Sequence, residues 1–560
     1  MAAENPYPLP QNMRRSIRMV ENTRQDRVSA IRMGENFPPL SLSDRMAWLE
    51  EFHPDYKEEG KRELIIGPNR GELAPNELAD LLETWPRSAV TKRRNFKPHI
   101  ETDVLVIGGG GAGTAAAIAA AEQGANVLIA TKLRHGDSNT LMAEGGIQAA
   151  DQECDSPLHH YIDVMGGGHF TSDPELVEAL VMDGPHALRW LEELGVLFDK
   201  YPTGRIKVRH GGGTSRKRLH SCGDVTGLEI MRVVQDQAES MDRIKVIDFA
   251  PVVEFLTDDA GRLVGAIVER LSPSKKTLII KAKSVVLATG GSGRLHQQNF
   301  PTSNHFGATA DGLVLAYRAG MPLQDLQHTQ YHPTGIAFPE QKSGLLLTEK
   351  FRGLGAQLLN RHGDEFVFGL EPRDVTTAAI IRECVEFNNG VETPNGSMGV
   401  WLDIPMIELL HGRGTIEREF PGRFQEFIRK GIDIREVPIL AFPTLHYQNG
   451  GLTIEPDGGT HMPGLYAAGE VTGGVHGSNR LMGNALLEII VFGLRAGRSA
   501  ADFAQKLGEG GAPGLGHLEQ FLEELQEAGI PKKNKAPTLL PKYGPKGIQV
   551  GVRQNDLDIE

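Results

Sequence analysis

Residues Asp103 to Ala130 restrict the fold more than any other stretch of this chain. The apolar run Asp103-Val104-Leu105-Val106-Ile107 is followed by Gly108-Gly109-Gly110-Gly111-Ala112-Gly113, then by an alanine-rich segment to about Gln123, then by Asn126-Val127-Leu128-Ile129-Ala130. That is strand, glycine turn, helix, strand, the opening of a Rossmann-type unit in an α/β protein. Gly108, Gly110 and Gly113 allow the tight turn, the close approach of a pyrophosphate and the packing of helix on strand. An acidic residue commonly ends the second strand to hold a ribose, but Thr131-Lys132 stands there, which counts against a simple nicotinamide-dinucleotide reading.

Two later apolar strands also end on glycine. They are Ser284-Val285-Val286-Leu287-Ala288-Thr289-Gly290-Gly291 and Gly464-Leu465-Tyr466-Ala467-Ala468-Gly469-Glu470. Either alone reads as an ordinary buried strand, but the first resembles the Ala-Thr-Gly-Gly turn that closes the dinucleotide domain of flavoproteins, and the second resembles the strand that brings an acidic residue to the flavin. With the opening unit, in this order, the resemblance implies FAD, with Glu470 the candidate for ribose or ribityl hydroxyls. Asn484-Ala485-Leu486 begins a helix whose first N–H groups can face the flavin.

A chain of 560 residues exceeds one ordinary core, so more than one domain is expected. Its net charge of −13 argues against nucleic acid or an anionic membrane as the main partner, so any site for a dianion must gather arginines locally. Cys154, Cys222 and Cys384 are far apart and form no Cys-x-x-Cys pair. No disulfide framework, iron–sulfur site or other metal site is expected of them, only buried thiols. The start Met1-Ala2-Ala3-Glu4-Asn5-Pro6 lacks the regions of a signal peptide, and no stretch approaches the ~20 apolar residues of a membrane span. The expectation is a cytoplasmic protein, peripheral to a membrane only through partner subunits.

Four pieces carry the chemistry. They are Gln330-Tyr331-His332-Pro333-Thr334-Gly335, Thr348-Glu349-Lys350-Phe351-Arg352-Gly353, Pro372-Arg373-Asp374, and Thr444-Leu445-His446-Tyr447 read with His476-Gly477-Ser478-Asn479-Arg480. Histidines, arginines, a threonine and a glutamate beside glycine-rich turns suit the gripping of a small dicarboxylate and the delivery of a proton. In order and wording the pieces resemble the flavoprotein subunit of the fumarate reductase/succinate dehydrogenase family, to which L-aspartate oxidase and soluble fumarate reductases are related. The resemblance runs from about Asp103 to about Ala500.

The resemblance implies a discontinuous FAD-binding domain, residues 101–329 and 446–505, with 330–445 inserted as an α+β capping domain. Residues 1–100 are then an N-terminal extension, read as a surface wrapping or a docking arm for a partner, and 506–560 a short tail running on as an extended arm. By position in the family's motifs, Arg480 and His446 hold one carboxylate of a fumarate- or succinate-like substrate and His332 with Thr348 the other. Arg373 is the proton donor, resupplied by Glu349 and Arg352. The cofactor set it implies comprises Gly108, Gly110, Gly111, Gly113, Thr131 and Lys132 in the first unit, and Ser138, Asn139, Thr140, Gly145 and Gly146 in the loop beyond it. Ala250, Ala288, Thr289, Gly290, Asp311, Glu470, Asn484 and Leu486 complete it.

Respiratory members of the family link the flavin covalently to a histidine in the segment resembling Asp137–Gly146. Asn139 stands at that place and its amide is no such nucleophile, so non-covalent FAD is expected, with His135 the one neighbouring imidazole. An iron–sulfur subunit is the implied electron donor. L-Aspartate oxidase is the nearest alternative, and a non-catalytic flavin-bearing relay or scaffold subunit the more distant one.

Overall fold

The computed structural model describes residues 9–87, 90, 96–272, 276–508, 511–544 and 547–549. The residues on which the signal-peptide argument rests fall outside these. The glycine-turn unit forms as strand Ile100–Ile107, helix Gly111–Glu122 and strand Val127–Ala130. Around it runs a sheet in the order Ile244–Ile247, Val127–Ala130, Ile100–Ile107, Thr277–Leu287, Leu263–Glu269, Val252–Thr257. The first four strands are parallel and the last two antiparallel. The long strand changes neighbour along its length: Thr277–Lys281 pairs with Gly265–Glu269, and Val285–Leu287 pairs with Leu465–Ala467.

Helix Gly111–Glu122 is alanine-rich because it is buried on every side. Helix Asn484–Lys506 lies against it so closely that a Cβ on Gly497 would stand 2.2 Å from the Ala116 carbonyl, and one on Gly493 2.7 Å from that of Ala112. Only glycine tolerates this approach. The contact fixes the two helix N-termini beside one cavity, since Gly110, Gly111, Ala485 and Leu486 all line it.

A second, antiparallel sheet pairs Thr329–Phe338 with Ile439–Gln448, Ile439–Gln448 with Met398–Asp403, and Met398–Asp403 with Gln357–Leu359. Helix Arg373–Ile381 is tied to its first strand by Thr377, whose hydroxyl donates to the Tyr331 carbonyl at 3.2 Å. Strand Ile439–Gln448 runs unbroken across position 446, so the domain boundary expected there falls inside one strand.

The N-terminal residues are integrated rather than draped. Helix Gln11–Arg32 buries Met13, Ile17 and Val20 beside Trp401 and Leu440 of the inserted sheet. Arg24 and Arg27, in the segment expected to be a surface wrapping or a docking arm, both bond Asp403 at 2.8 Å. Leu49, on helix Leu42–Phe52, packs on Val375 and Ala378 of the Arg373 helix. Farther on, Leu64, Leu78 and Leu82 enter the main core together with Val104, Val106 and Leu287 of the first sheet.

The tail departs from the extended arm expected of it. Helix Leu518–Glu527 sends Phe521 and Leu525 into the main core, and Lys535–Ala536 pairs in parallel with Trp85–Pro86. Cys222 and Cys384 are buried, but Cys154 is exposed, which corrects the expectation for that thiol. Among the described residues no helix is long and apolar enough to cross a membrane.

Candidate active site

A cavity of about 520 Å³ lies where the glycine turn, the end of the second strand and the start of helix Asn484–Lys506 converge. Gly108, at φ +113°, could not carry a side chain there, because a Cβ would meet the Ala288 carbonyl at 2.2 Å. Of the expected cofactor residues, Gly108, Gly110, Gly111, Thr131, Lys132, Ser138, Asn139 and Thr140 line the cavity. So do Ala288, Thr289, Gly290, Asp311, Glu470 and Leu486.

Gly113, Gly145, Gly146, Ala250 and Asn484 stand behind this wall. A Cβ on Gly113 would strike the Gly108 carbonyl at 2.0 Å, and one on Gly146 the His220 carbonyl at 2.4 Å. Gly145 packs under Met482. Ala250 bonds the Thr131 carbonyl through its N–H at 2.8 Å, and Asn484 meets His160 at 3.1 Å. These residues shape the wall rather than form its surface.

Lys132 replaces the usual acidic strand end by recruiting one. Its ammonium donates to Asp311 at 2.7 Å and to Thr309 and the Gly307 carbonyl at 2.8 Å. Asn139 donates to Asn304 at 2.6 Å and to Glu470 at 3.0 Å, while its carbonyl accepts the His305 N–H at 2.7 Å. Burial pushes the Glu470 carboxyl up to about 7. His135 lies behind the glycine turn, with Nε2 3.0 Å from the Thr114 hydroxyl. A glycine-lined cradle, two helix N-termini and an acidic side chain match the requirements of FAD: close backbone for the pyrophosphate, N–H donors for its charge and a carboxyl for hydroxyls.

His446 and Arg480 line the same cavity from the opposite wall. The His446 and His332 rings are 5.2 Å apart, and burial, followed by the Arg373 charge, holds both imidazoles well below their usual pKa. Both are therefore neutral at neutral pH. In His332 the Nδ1 accepts the Thr334 N–H at 3.2 Å, so Nε2 carries the proton, and this buried donor makes no hydrogen bond within the protein. Arg480 stacks its guanidinium over Tyr447 at 4.2 Å and leaves Nε without a hydrogen bond. Thr348 follows Leu347, which is bonded in both directions to Thr334, at 2.9 and 2.8 Å. Unengaged, buried donors of this kind suit the carboxylates of a small dianion.

Arg373 donates from Nε to Glu349 at 2.7 Å and from NH1 to Gln330 at 2.8 Å. Arg352 sits 3.6 Å from the same Glu349 oxygen and bonds the Gly369 carbonyl at 2.6 Å. Burial alone would raise the Glu349 carboxyl, but the Arg373 and Arg352 charges win and hold it below its ordinary value. Burial lowers Arg352, and it lowers Arg480 to about 10, so both remain charged at neutral pH.

Two features escaped the sequence reading. Gln330 accepts from both Arg373 and Arg480, the latter at 2.9 Å, and so holds the two guanidiniums about one carbonyl oxygen. Its place two residues before His332, on the same face of the strand, was the available signal. Glu488 gathers the Tyr447 hydroxyl at 2.5 Å, His476 at 3.0 Å and Thr472 at 3.2 Å beneath Arg480, and nothing local in the sequence marks it.

Comparison with known proteins agrees with this architecture. Residues 103–486 match the FAD binding domain family. One chain of the fumarate reductase (CoM/CoB) of Methanothermobacter marburgensis is 39% identical over 438 residues, 76% of either protein. L-Aspartate oxidase of Streptomyces coelicolor is 36% identical over 417 residues, covering 72% of this chain and 69% of that one. Among solved structures, FrdA of E. coli quinol fumarate reductase superposes with a TM-score of 0.69 at 30% identity, over 77% of this chain and 74% of that one. The chain is an FAD-dependent oxidoreductase, and it belongs to the family of fumarate reductase and succinate dehydrogenase flavoprotein subunits and L-aspartate oxidases.

Proposed function

We propose that this enzyme reduces fumarate to succinate, or runs the reverse reaction, as the catalytic subunit of a complex fed by an iron–sulfur partner. The observation that carries the reading is the Gln330 carbonyl oxygen shared by Arg373 and Arg480. It sets a guanidinium joined to a carboxylate relay beside one that faces the cavity. Arg480 and His446 take one substrate carboxylate, and His332 and Thr348 take the other. FAD, when bound, supplies hydride to one alkene carbon. Arg373 protonates the other carbon, and the Glu349 carboxylate relays to Arg373 a replacement proton taken up from the Arg352 side. Fixed donors at both carboxylates stabilise the charge that builds during transfer, without reorganisation of solvent. A guanidinium is intrinsically a very weak acid, so the reading couples proton transfer to hydride transfer.

The similarity to L-aspartate oxidase supports a second reading, in which the clamp accepts an amino-dicarboxylate. Steady-state reduction of fumarate by a reduced dye, set against oxidation of aspartate by oxygen, separates the two. Turnover with fumarate alone is expected, and turnover with aspartate alone overturns the fumarate assignment.

A further inference from the structure

Arg373 heads its helix, and the next residue, Asp374, turns to a different partner across the junction with the flavin-binding part. Its Oδ2 accepts a hydrogen bond of 2.7 Å from Nε2 of His169. His169 lies in the turn that follows helix Pro157–Gly167, where it and Phe170 hold φ angles of +55° and +58°. Two successive left-handed residues that are not glycine persist only where their surroundings over-determine them.

The surroundings here are the segment that carries Arg480. Thr171 accepts the Ser478 N–H at 2.8 Å, the Gly168 carbonyl accepts the Ser478 hydroxyl at 3.3 Å, and the Gly167 carbonyl accepts the Asn479 amide at 2.9 Å. The two backbones touch: a Cβ on Gly168 would stand 2.7 Å from the His476 carbonyl, and one on Gly477 2.7 Å from that of Gly168. One short turn thus grips the Arg480 segment through two backbone carbonyls and the Thr171 hydroxyl, and the Arg373 helix through the His169 side chain.

We propose that His169 is a positioning residue, which sets Arg373 against Arg480 by tying the start of the Arg373 helix to the turn that holds the Arg480 segment. The proposal rests on Arg373 acting as the proton donor. It gives the two ends of the turn different consequences. Substrate affinity depends on the end that holds Ser478 and Asn479, and proton delivery depends on the His169 side chain.

The charge of His169 adds to the tie. The hydrogen bond to Asp374 raises the His169 pKa above its ordinary value, against burial and the Arg45 charge. The charged pair is therefore complete below the ordinary histidine value, and is lost as pH rises through the raised one. Of the other groups around the His169–Asp374 pair, His53 and His328 are depressed by burial to about 4 and stay neutral, Lys61 is lowered by burial, and the Tyr56 hydroxyl is raised by burial and then by the Asp374 charge. Glu371 beside them is paired with Arg45 at 2.8 Å. Burial also raises the Glu371 carboxyl, and Asp55, pushed by burial up to about 8, titrates in the same window as His169.

The test uses the full chain with FAD and dye-linked fumarate reduction, measured on both sides of histidine's ordinary pKa of about 6.5. His169→Leu removes the tie. It should lower kcat by about tenfold to a hundredfold, the usual effect of misplacing a reacting group, with the flavin content and the dissociation constant for malonate unchanged. His169→Gln keeps an N–H donor without the charge, and should show a kcat that matches the high-pH level of the parent and no longer varies through that window. Asp55→Asn should leave the variation in place. The proposal is overturned if His169→Leu keeps its kcat, if its affinity falls instead, or if the variation survives in His169→Gln but vanishes in Asp55→Asn. Arg373→Lys, run alongside, separates the two levels. Full turnover there removes the proton-donor reading and this proposal with it, whereas loss there with an unaffected His169→Leu removes only the proposal.

Discussion

Replacing Arg373 by lysine isolates the proton-transfer role from charge and packing. Arginine makes two directed bonds here, Nε to Glu349 at 2.7 Å and NH1 to Gln330 at 2.8 Å. Lysine keeps the positive charge near the substrate, but its single ammonium cannot serve both partners in the geometry of a planar fork. The field at the carboxylates is retained, so affinity for a dianion should stay within about threefold, whereas delivery of the proton fails. General acid catalysis contributes about 10²–10⁴-fold, which corresponds to roughly 3–5 kcal/mol in the barrier. The variant should thus bind FAD and malonate normally, by flavin absorbance, while dye-linked fumarate reduction under saturating donor falls by that factor. A variant whose turnover stays within about threefold of the parent would refute the donor role, whatever its effect on KM.

Three further outcomes follow from the same geometry. Arg480→Ala and His446→Ala should each raise the dissociation constant for succinate or malonate, since a charge-assisted hydrogen bond is worth about 1.5–3 kcal/mol; unchanged flavin titrations in both would move the dianion site elsewhere. Acid precipitation should release all flavin into the supernatant, because Asn139 spends its side chain on Asn304, Glu470 and the His305 N–H; fluorescence left on the denatured polypeptide would contradict this. Leu78→Ala, in the N-terminal residues and fully buried, should cost about 2–5 kcal/mol of stability and visibly lower Tm, and a Tm equal to the parent's would mean that the segment does not belong to the core.

The glycine turn was legible because everything it needs is local: an apolar run, a break without side chains and a helix former. The role of Lys132 was not, since the carboxylate it recruits, Asp311, lies 179 residues away. Gln330 was hidden for a similar reason, as its meaning depends on two arginines 43 and 150 residues distant meeting at one oxygen. The N-terminal segment was under-read. Leu78, Leu81 and Leu82 stand at helical spacing and are all buried, so an apolar stripe was present to be followed into the core. The left-handed backbone at Phe170 has no signature, because a bulky aromatic does not favour it and tertiary contacts impose it; at His169, a type found there more often, the residue alone is too weak a signal.

The strand Leu465–Ala467 and the helix Asn484–Lys506 complete a layer begun at Ile100. Strands Ile100–Ile107 and Val127–Ala130 and the alanine-rich helix between them thus emerge from the ribosome well before the segment that covers one face of that helix. Contacts that close so late in sequence make folding slow and leave apolar edges open to other nascent chains. The cofactor cannot help early either, because the cavity takes one of its walls from the same late helix. Yield of folded enzyme in a host should hence depend on chaperone supply and growth temperature before it depends on flavin supply.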